Sequence, residues 1–146
     1  MNRNGSAALS LPVTTQRGAI AVIGGGFSGT MVAVNIARHG GPPVMLIERG
    51  GRFGAGLAYA TPNPAHLLNV RAANMSAFPD APDHFARWLD RAHAGAAFAT
   101  RGDYGRYLAE QLDTAVEAHP GSILRVAAEV VGIARQDDSL RVALQG

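Results

Sequence analysis

The first apolar run, Ala19-Ile-Ala-Val-Ile23, is short, mostly β-branched and ends in glycines. That is the pattern of a strand buried on both faces. From Ser28 to Arg38, the spacing of Met31, Val32, Asn35 and Ile36 predicts a helix with one packed side. His39-Gly-Gly-Pro-Pro43 stops it, because Gly and Pro both break helices. Val44-Met-Leu-Ile47 predicts a second buried strand, closed by Glu48. Strand, helix and strand in so short a stretch make a βαβ unit, whose crossover is right-handed.

Gly50 to Asp80 has no clean period and contains Gly-rich and Pro-rich pieces. A loop of that length inside a compact domain is usually functional or disordered. Pro82 to His93 predicts a helix, with Asp83 as a cap and Phe85, Trp88 and Leu89 on one face as core. Tyr104 to His119 predicts another, carrying Leu108, Leu112 and Val116 at four-residue steps and ended by Pro120-Gly121. Ile123 to Val126, Glu129 to Ala134 and Leu140 to Leu144 read as strands, the last two joined by a hairpin turn at Asp137-Asp-Ser139. Residues 1–17 are small and polar, predicting a disordered tail; residues 18–146 make the domain.

Composition narrows the field. The chain has 146 residues, 47% hydrophobic and 16% charged, which excludes a wholly disordered chain. No apolar run reaches the roughly 20 residues of a spanning helix, so no membrane is expected. There is no Cys, which removes disulfides, thiolate metal sites and cysteine nucleophiles together and fits a reducing compartment. Pro12 breaks the one apolar patch of the tail, so a secretory signal is not expected and the cytoplasm is. All 13 basic residues are Arg, spread along the chain without a block, and the net charge is +2. That is not the basic stripe of a nucleic-acid binder. The five His show no metal-ligand spacing, and no constellation stands out as a general acid or base.

The chemistry sits in Gly24-Gly-Gly26-Phe-Ser-Gly29, which fits G-x-G-x-x-G. It follows a predicted strand, opens a predicted helix, and Glu48 lies 19 residues past Gly29 at the end of the next strand. In the dinucleotide reading Gly24 turns the chain tightly, Gly26 lets a pyrophosphate reach the backbone, and Gly29 lets helix and sheet approach. The free N–H groups of the first helical turn, around Phe27 and Ser28, face the anion. Ser28 caps the helix or donates to phosphate. Glu48 accepts from the ribose hydroxyls and repels a 2′-phosphate, so the site expects FAD or NAD rather than NADP. The alternative is a glycine turn with no dinucleotide. The stretch Arg49-Gly-Gly-Arg-Phe-Gly54-Ala-Gly56-Leu-Ala-Tyr59 offers backbone to the rest of a long cofactor, or is a surface loop. Arg101 either pairs with a cofactor phosphate or simply precedes a helix.

Several segments together resemble a known family. They are Gly24 to Thr30, Ile47-Glu-Arg49, Gly54 to Tyr59, His66-Leu-Leu-Asn-Val70, Asn74-Met-Ser76, Asp83-His-Phe85 with Trp88-Leu89, and Arg101 to Leu108. The pattern resembles the start of the bacterial FAD-NAD(P)-binding flavoproteins, some of which are described as FAD-dependent hydroxylases, including urate hydroxylases. The resemblance implies an α/β Rossmann-type domain, FAD as cofactor and NAD(P)H as electron donor. It implies that Gly24, Gly26, Gly29 and Glu48, with Phe27 and Ser28 of the same motif, hold the ADP half of FAD, and that Arg49 also binds the cofactor. Gly56, Asn69 and Met75 fall toward the flavin end. Family members are several times longer, and no second fingerprint for NAD(P)H is present here. The expectation is therefore the N-terminal portion of a longer flavoprotein, or a subunit completed by a second polypeptide. A non-catalytic fragment and a simple NAD-binding domain are the alternatives.

Overall fold

The computed structural model describes residues 18–92 and 99–146. The predicted tail, residues 1–17, and the predicted helix end at His93 lie outside the described residues. The elements are β1 (Ile20–Ile23), α1 (Phe27–Arg38), β2 (Val44–Ile47), α2 (Gly56–Tyr59), α3 (His84–Ala92), α4 (Arg101–Ala118), β3 (Ile123–Val126), β4 (Glu129–Gln136) and β5 (Ser139–Gln145). A single 3-10 turn, Ala72–Asn74, precedes α3.

β1, β2 and β3 form a parallel sheet in that order, with Val22 beside Leu46 and Leu46 beside Arg125. Residues paired across a parallel sheet share a face, so the sheet has two distinct sides. Val44 and Leu46 meet Val34 and Ala37 of α1, and the same cluster takes in Phe85, Tyr107, Leu108 and Leu112 from α3 and α4. Met45 and Ile47 instead pack with Ala128, Val130, Val142 and Leu144, so the β4–β5 hairpin covers the opposite side of the sheet. β2 is apolar at every position because both its faces are covered.

Three expectations need correction. β1 lies at an edge of the sheet among the described residues, and Ile20 and Ile23 are 38% and 52% exposed rather than buried on both faces. An apolar run looks the same in a central strand and in an edge strand that still lacks a neighbour. α1 starts at Phe27 with Gly26 at its N-cap, so Ser28 is its second residue and does not cap it. α4 starts at Arg101, three residues before the predicted Tyr104, because Thr100 and Asp103 form a capping box. Arg101 thus opens a helix. Trp88, Phe85 and Leu89 are buried, as their shared face predicts. Asp83 pairs with Arg87 one turn on, at 3.2 Å.

Candidate functional site

The site is built where β1 turns into α1. Gly24 adopts φ +101°, a conformation that favours glycine, and its N–H donates to the Ile47 carbonyl at 2.8 Å. The turn is thereby tied to the end of β2. A Cβ on Gly29 would lie 1.9 Å from the Gly24 carbonyl oxygen, so only a bare α-carbon lets α1 start this close to the strand. Gly26 differs. Its φ is −74° and its nearest neighbour, the Gly56 α-carbon, would stand 3.5 Å from an added Cβ. The protein's own packing does not demand a glycine there. Gly26 also has no side chain to cap α1, which leaves the first-turn amides of Phe27, Ser28 and Gly29 without a side-chain acceptor.

Glu48 is drawn to this turn. One carboxylate oxygen accepts from the Gly25 N–H at 2.8 Å and the other from the Gly50 N–H at 3.0 Å. These donors, Gly50 first and then Gly25, hold its pKa below the usual carboxylate range against a smaller opposing effect of burial; nearby Arg49 adds to the lowering. A carboxylate has about four lone-pair directions, so the two amides leave acceptor capacity for hydroxyl donors. Gly25 was not singled out from the sequence, because it occupies a free position of the fingerprint. A Cβ there would come within 2.8 Å of Glu48 Cβ and Phe53 Cδ1, so its bareness is what admits the acid.

The second glycine stretch lies against the first. The Gly54 N–H donates to the Gly25 carbonyl at 2.8 Å, and the buried Thr30 hydroxyl donates to the same oxygen at 3.0 Å. A Cβ on Gly56 would lie 2.9 Å from the Gly26 α-carbon. Gly56 also lines a cleft of about 930 Å³ together with Glu48, Arg49, Tyr59, Asp103 and Arg106. Of the predicted residues, Glu48, Arg49 and Gly56 line this cleft; Gly24, Gly26, Phe27, Ser28 and Gly29 do not, and form the β1–α1 turn and the first residues of α1. Asn69 and Met75 do neither. Asn69 is exposed ahead of the 3-10 turn, and Met75 follows that turn, partly buried against the main core. The cleft wall supplied by α4 includes Asp103 and Arg106, which lie in the Arg101 to Leu108 segment of the resemblance but were not singled out as site residues. Among the described residues no group of three His, Asp or Glu is placed to hold a metal.

Residues 21–146 match the FAD-NAD(P)-binding family. The chain belongs to that family. Its membership in the FAD-NAD(P)-binding proteins supports FAD as the cofactor, with NAD(P)H as a candidate electron donor, and agrees with the parallel α/β sheet. The chain is also similar to a salicylate hydroxylase of Pseudomonas putida, at 26% identity over 136 residues, covering 84% of this chain and 31% of that protein. It thus spans under a third of the length of that curated relative. The geometry fits the family's cofactor. The uncapped amides of α1 suit a diphosphate, Gly26 leaves backbone open to it, and an ionised acid stands beside them. No helix among the described residues is long and apolar enough to cross a membrane.

Proposed function

We propose that this chain binds the ADP half of FAD across the Gly24–Gly29 turn and Glu48, as the flavin-binding part of an NAD(P)H-dependent oxidoreductase of the hydroxylase or reductase kind. One observation carries the reading: the Glu48 carboxylate is fixed by the Gly25 amide at the uncapped start of α1. In this reading the Phe27, Ser28 and Gly29 amides and the exposed Ser28 hydroxyl take the diphosphate. Glu48 accepts from the ribose hydroxyls, and Arg49 offsets the diphosphate charge. Backbone from Gly54 to Tyr59 follows the cofactor along the cleft, and Asn69 and Met75 lie toward its flavin end. Bound flavin supplies the hydride and electron chemistry. The residues of this chain bind and orient it. The name of the Pseudomonas relative favours hydroxylation as the reaction.

Titration with FAD tests the reading. The purified protein is expected to carry a flavin spectrum or to take up added FAD stoichiometrically and in preference to NAD. A colourless protein that quenches no flavin fluorescence overturns it, and one that takes up NAD but not FAD supports the simple NAD-binding domain instead.

A second reading concerns completeness. The outer edge of β1 is unpaired among the described residues, with Ile20 and Ile23 exposed beside it. A further strand, from additional polypeptide or from a partner chain, would cover both. Co-purification of this chain with a longer flavoprotein polypeptide supports the partner; a stable, yellow, active monomer refutes it.

A further inference from the structure

The chain has three Tyr and one Trp, and no Cys. All four of these readily oxidised rings lie in one continuous row. Tyr59 lines the cleft, and its ring centroid is 4.8 Å from that of Tyr104. Tyr104 is 5.7 Å from Tyr107, and Tyr107 is 5.6 Å from Trp88. Phe85 fills the inside of the bend, 4.9 Å from Tyr104 and 5.0 Å from Tyr107. Tyr104 and Tyr107 are buried, so water does not interrupt the row.

The inner end of the row has a second property that a packing cluster does not need: both members have a proton acceptor in place. The Ala77 N–H donates to the Tyr107 hydroxyl at 3.3 Å, and that hydroxyl lies 2.8 Å from His84 Nδ1, which accepts its proton in the tautomer that carries hydrogen on Nε2. The Trp88 indole N–H donates to a Glu110 carboxylate oxygen at 2.6 Å. A phenol or indole is far easier to oxidise by one electron when its proton leaves at the same time along an existing hydrogen bond.

We propose that Tyr59, Tyr104, Tyr107 and Trp88 form a one-electron relay that carries oxidising equivalents from the cleft to Trp88. An outer-sphere one-electron oxidant in the cleft, of the photoexcited-flavin or ruthenium(III) class, takes one electron from Tyr59. The vacancy passes through Tyr104 to Tyr107, whose O–H bond breaks as its proton moves to His84 and forms an N–H bond. Trp88 then gives one electron to Tyr107, which recovers its proton from His84, and the indole proton goes to Glu110. In sum the oxidant gains one electron, Trp88 becomes a neutral radical and Glu110 holds one proton.

The test does not use FAD, so it stands or falls apart from the proposed function. Leu57 lines the cleft and is 100% exposed, and a Leu57→Cys protein carries the chain's sole thiol. A ruthenium polypyridyl attached there is converted to ruthenium(III) by a laser flash and a cobalt(III) quencher. Transient absorption and freeze-quench electron paramagnetic resonance then follow the radicals. The expected result is a tyrosyl signal that decays into the Trp88 neutral radical. Tyr104→Phe and, separately, Tyr59→Phe are expected to abolish the Trp88 signal, while near-ultraviolet circular dichroism reports retained packing. His84→Gln is expected to slow formation of the Tyr107 radical and to lower the deuterium isotope effect on that step, leaving the contribution of the Trp88–Glu110 proton. A radical that stays on Tyr59, or a Trp88 signal unchanged in Tyr59→Phe, overturns the relay; Tyr59 sits at the cleft wall, so that variant tests it even if Tyr104→Phe fails to fold.

Discussion

The same substitution made three residues apart separates fold from function in the glycine turn. In Gly29→Ala the new methyl would lie 1.9 Å from the Gly24 carbonyl oxygen and 3.2 Å from Val22 Cγ1. Backbone cannot yield as a flexible side chain can, so the start of α1 must retreat by more than an ångström. That retreat loosens the buried bond from the Thr30 hydroxyl to the Gly25 carbonyl. Overpacking costs about 1–3 kcal/mol and a lost hydrogen bond about 1 kcal/mol, or roughly 3 kcal/mol together. At about 3 °C per kcal/mol for a domain of this size, the melting temperature drops by about 10 °C. In Gly26→Ala the methyl meets nothing closer than 3.5 Å and φ is already −74°. Stability there changes by about 1 kcal/mol or less, the difference between Gly and Ala at an N-cap. The methyl instead stands where the diphosphate must touch backbone, and FAD affinity falls by about tenfold or more, worth about 1.4 kcal/mol. Thermal melts by circular dichroism and titrations by flavin fluorescence quenching read the two effects separately. A Gly29→Ala protein that melts with the wild type, or a Gly26→Ala protein that binds FAD as tightly as the wild type, refutes the division of roles.

Glu48→Gln removes the charge while keeping an acceptor, and FAD affinity is expected to fall by about tenfold, as for the loss of a charged hydrogen bond; unchanged affinity in the same titration rejects the ribose role. The Gly50 and Gly25 amides lower the Glu48 pKa in the folded state, so its stabilisation is present above the unfolded carboxylate value and is lost as pH falls through the folded one. Melts across the acid range should therefore show a shallower acid decline in Glu48→Gln than in wild type. Thr100→Ala breaks the capping box of α4, in which the Thr100 hydroxyl oxygen accepts from the Asp103 N–H at 3.0 Å; it should cost about 1 kcal/mol, or about 3 °C in a thermal melt.

The βαβ unit was readable because each of its elements is written locally. Ala19–Ile23 and Val44–Ile47 are apolar runs cut by Gly and Pro, and the glycines between them fall on fingerprint positions. Leu108 and Leu112 announced α4 in the same way and are both buried. The loop from Gly50 to Asp80 was unreadable because its partners are distant in sequence. Leu68 donates to the Ala99 carbonyl, Arg101 donates to the His66 carbonyl, and Gly54 reaches back to Gly25. α2 spans only Gly56–Tyr59, too short for any period to show. The cap was misplaced by two residues at Ser28, since a bare N-cap at Gly26 carries no side-chain signature. The acid was found by its spacing, but its brace was not, since the fingerprint gives no meaning to the position Gly25 fills.

The peptide group of Gly25 is a junction for three stretches of chain. Its amide grips the end of β2 through Glu48, and its carbonyl takes the Gly54 amide and the Thr30 hydroxyl. A peptide excised to cover only strand, helix and strand would keep the fingerprint letters yet lose the Gly54 clasp. The smallest unit that keeps this clasp therefore extends at least through Gly54.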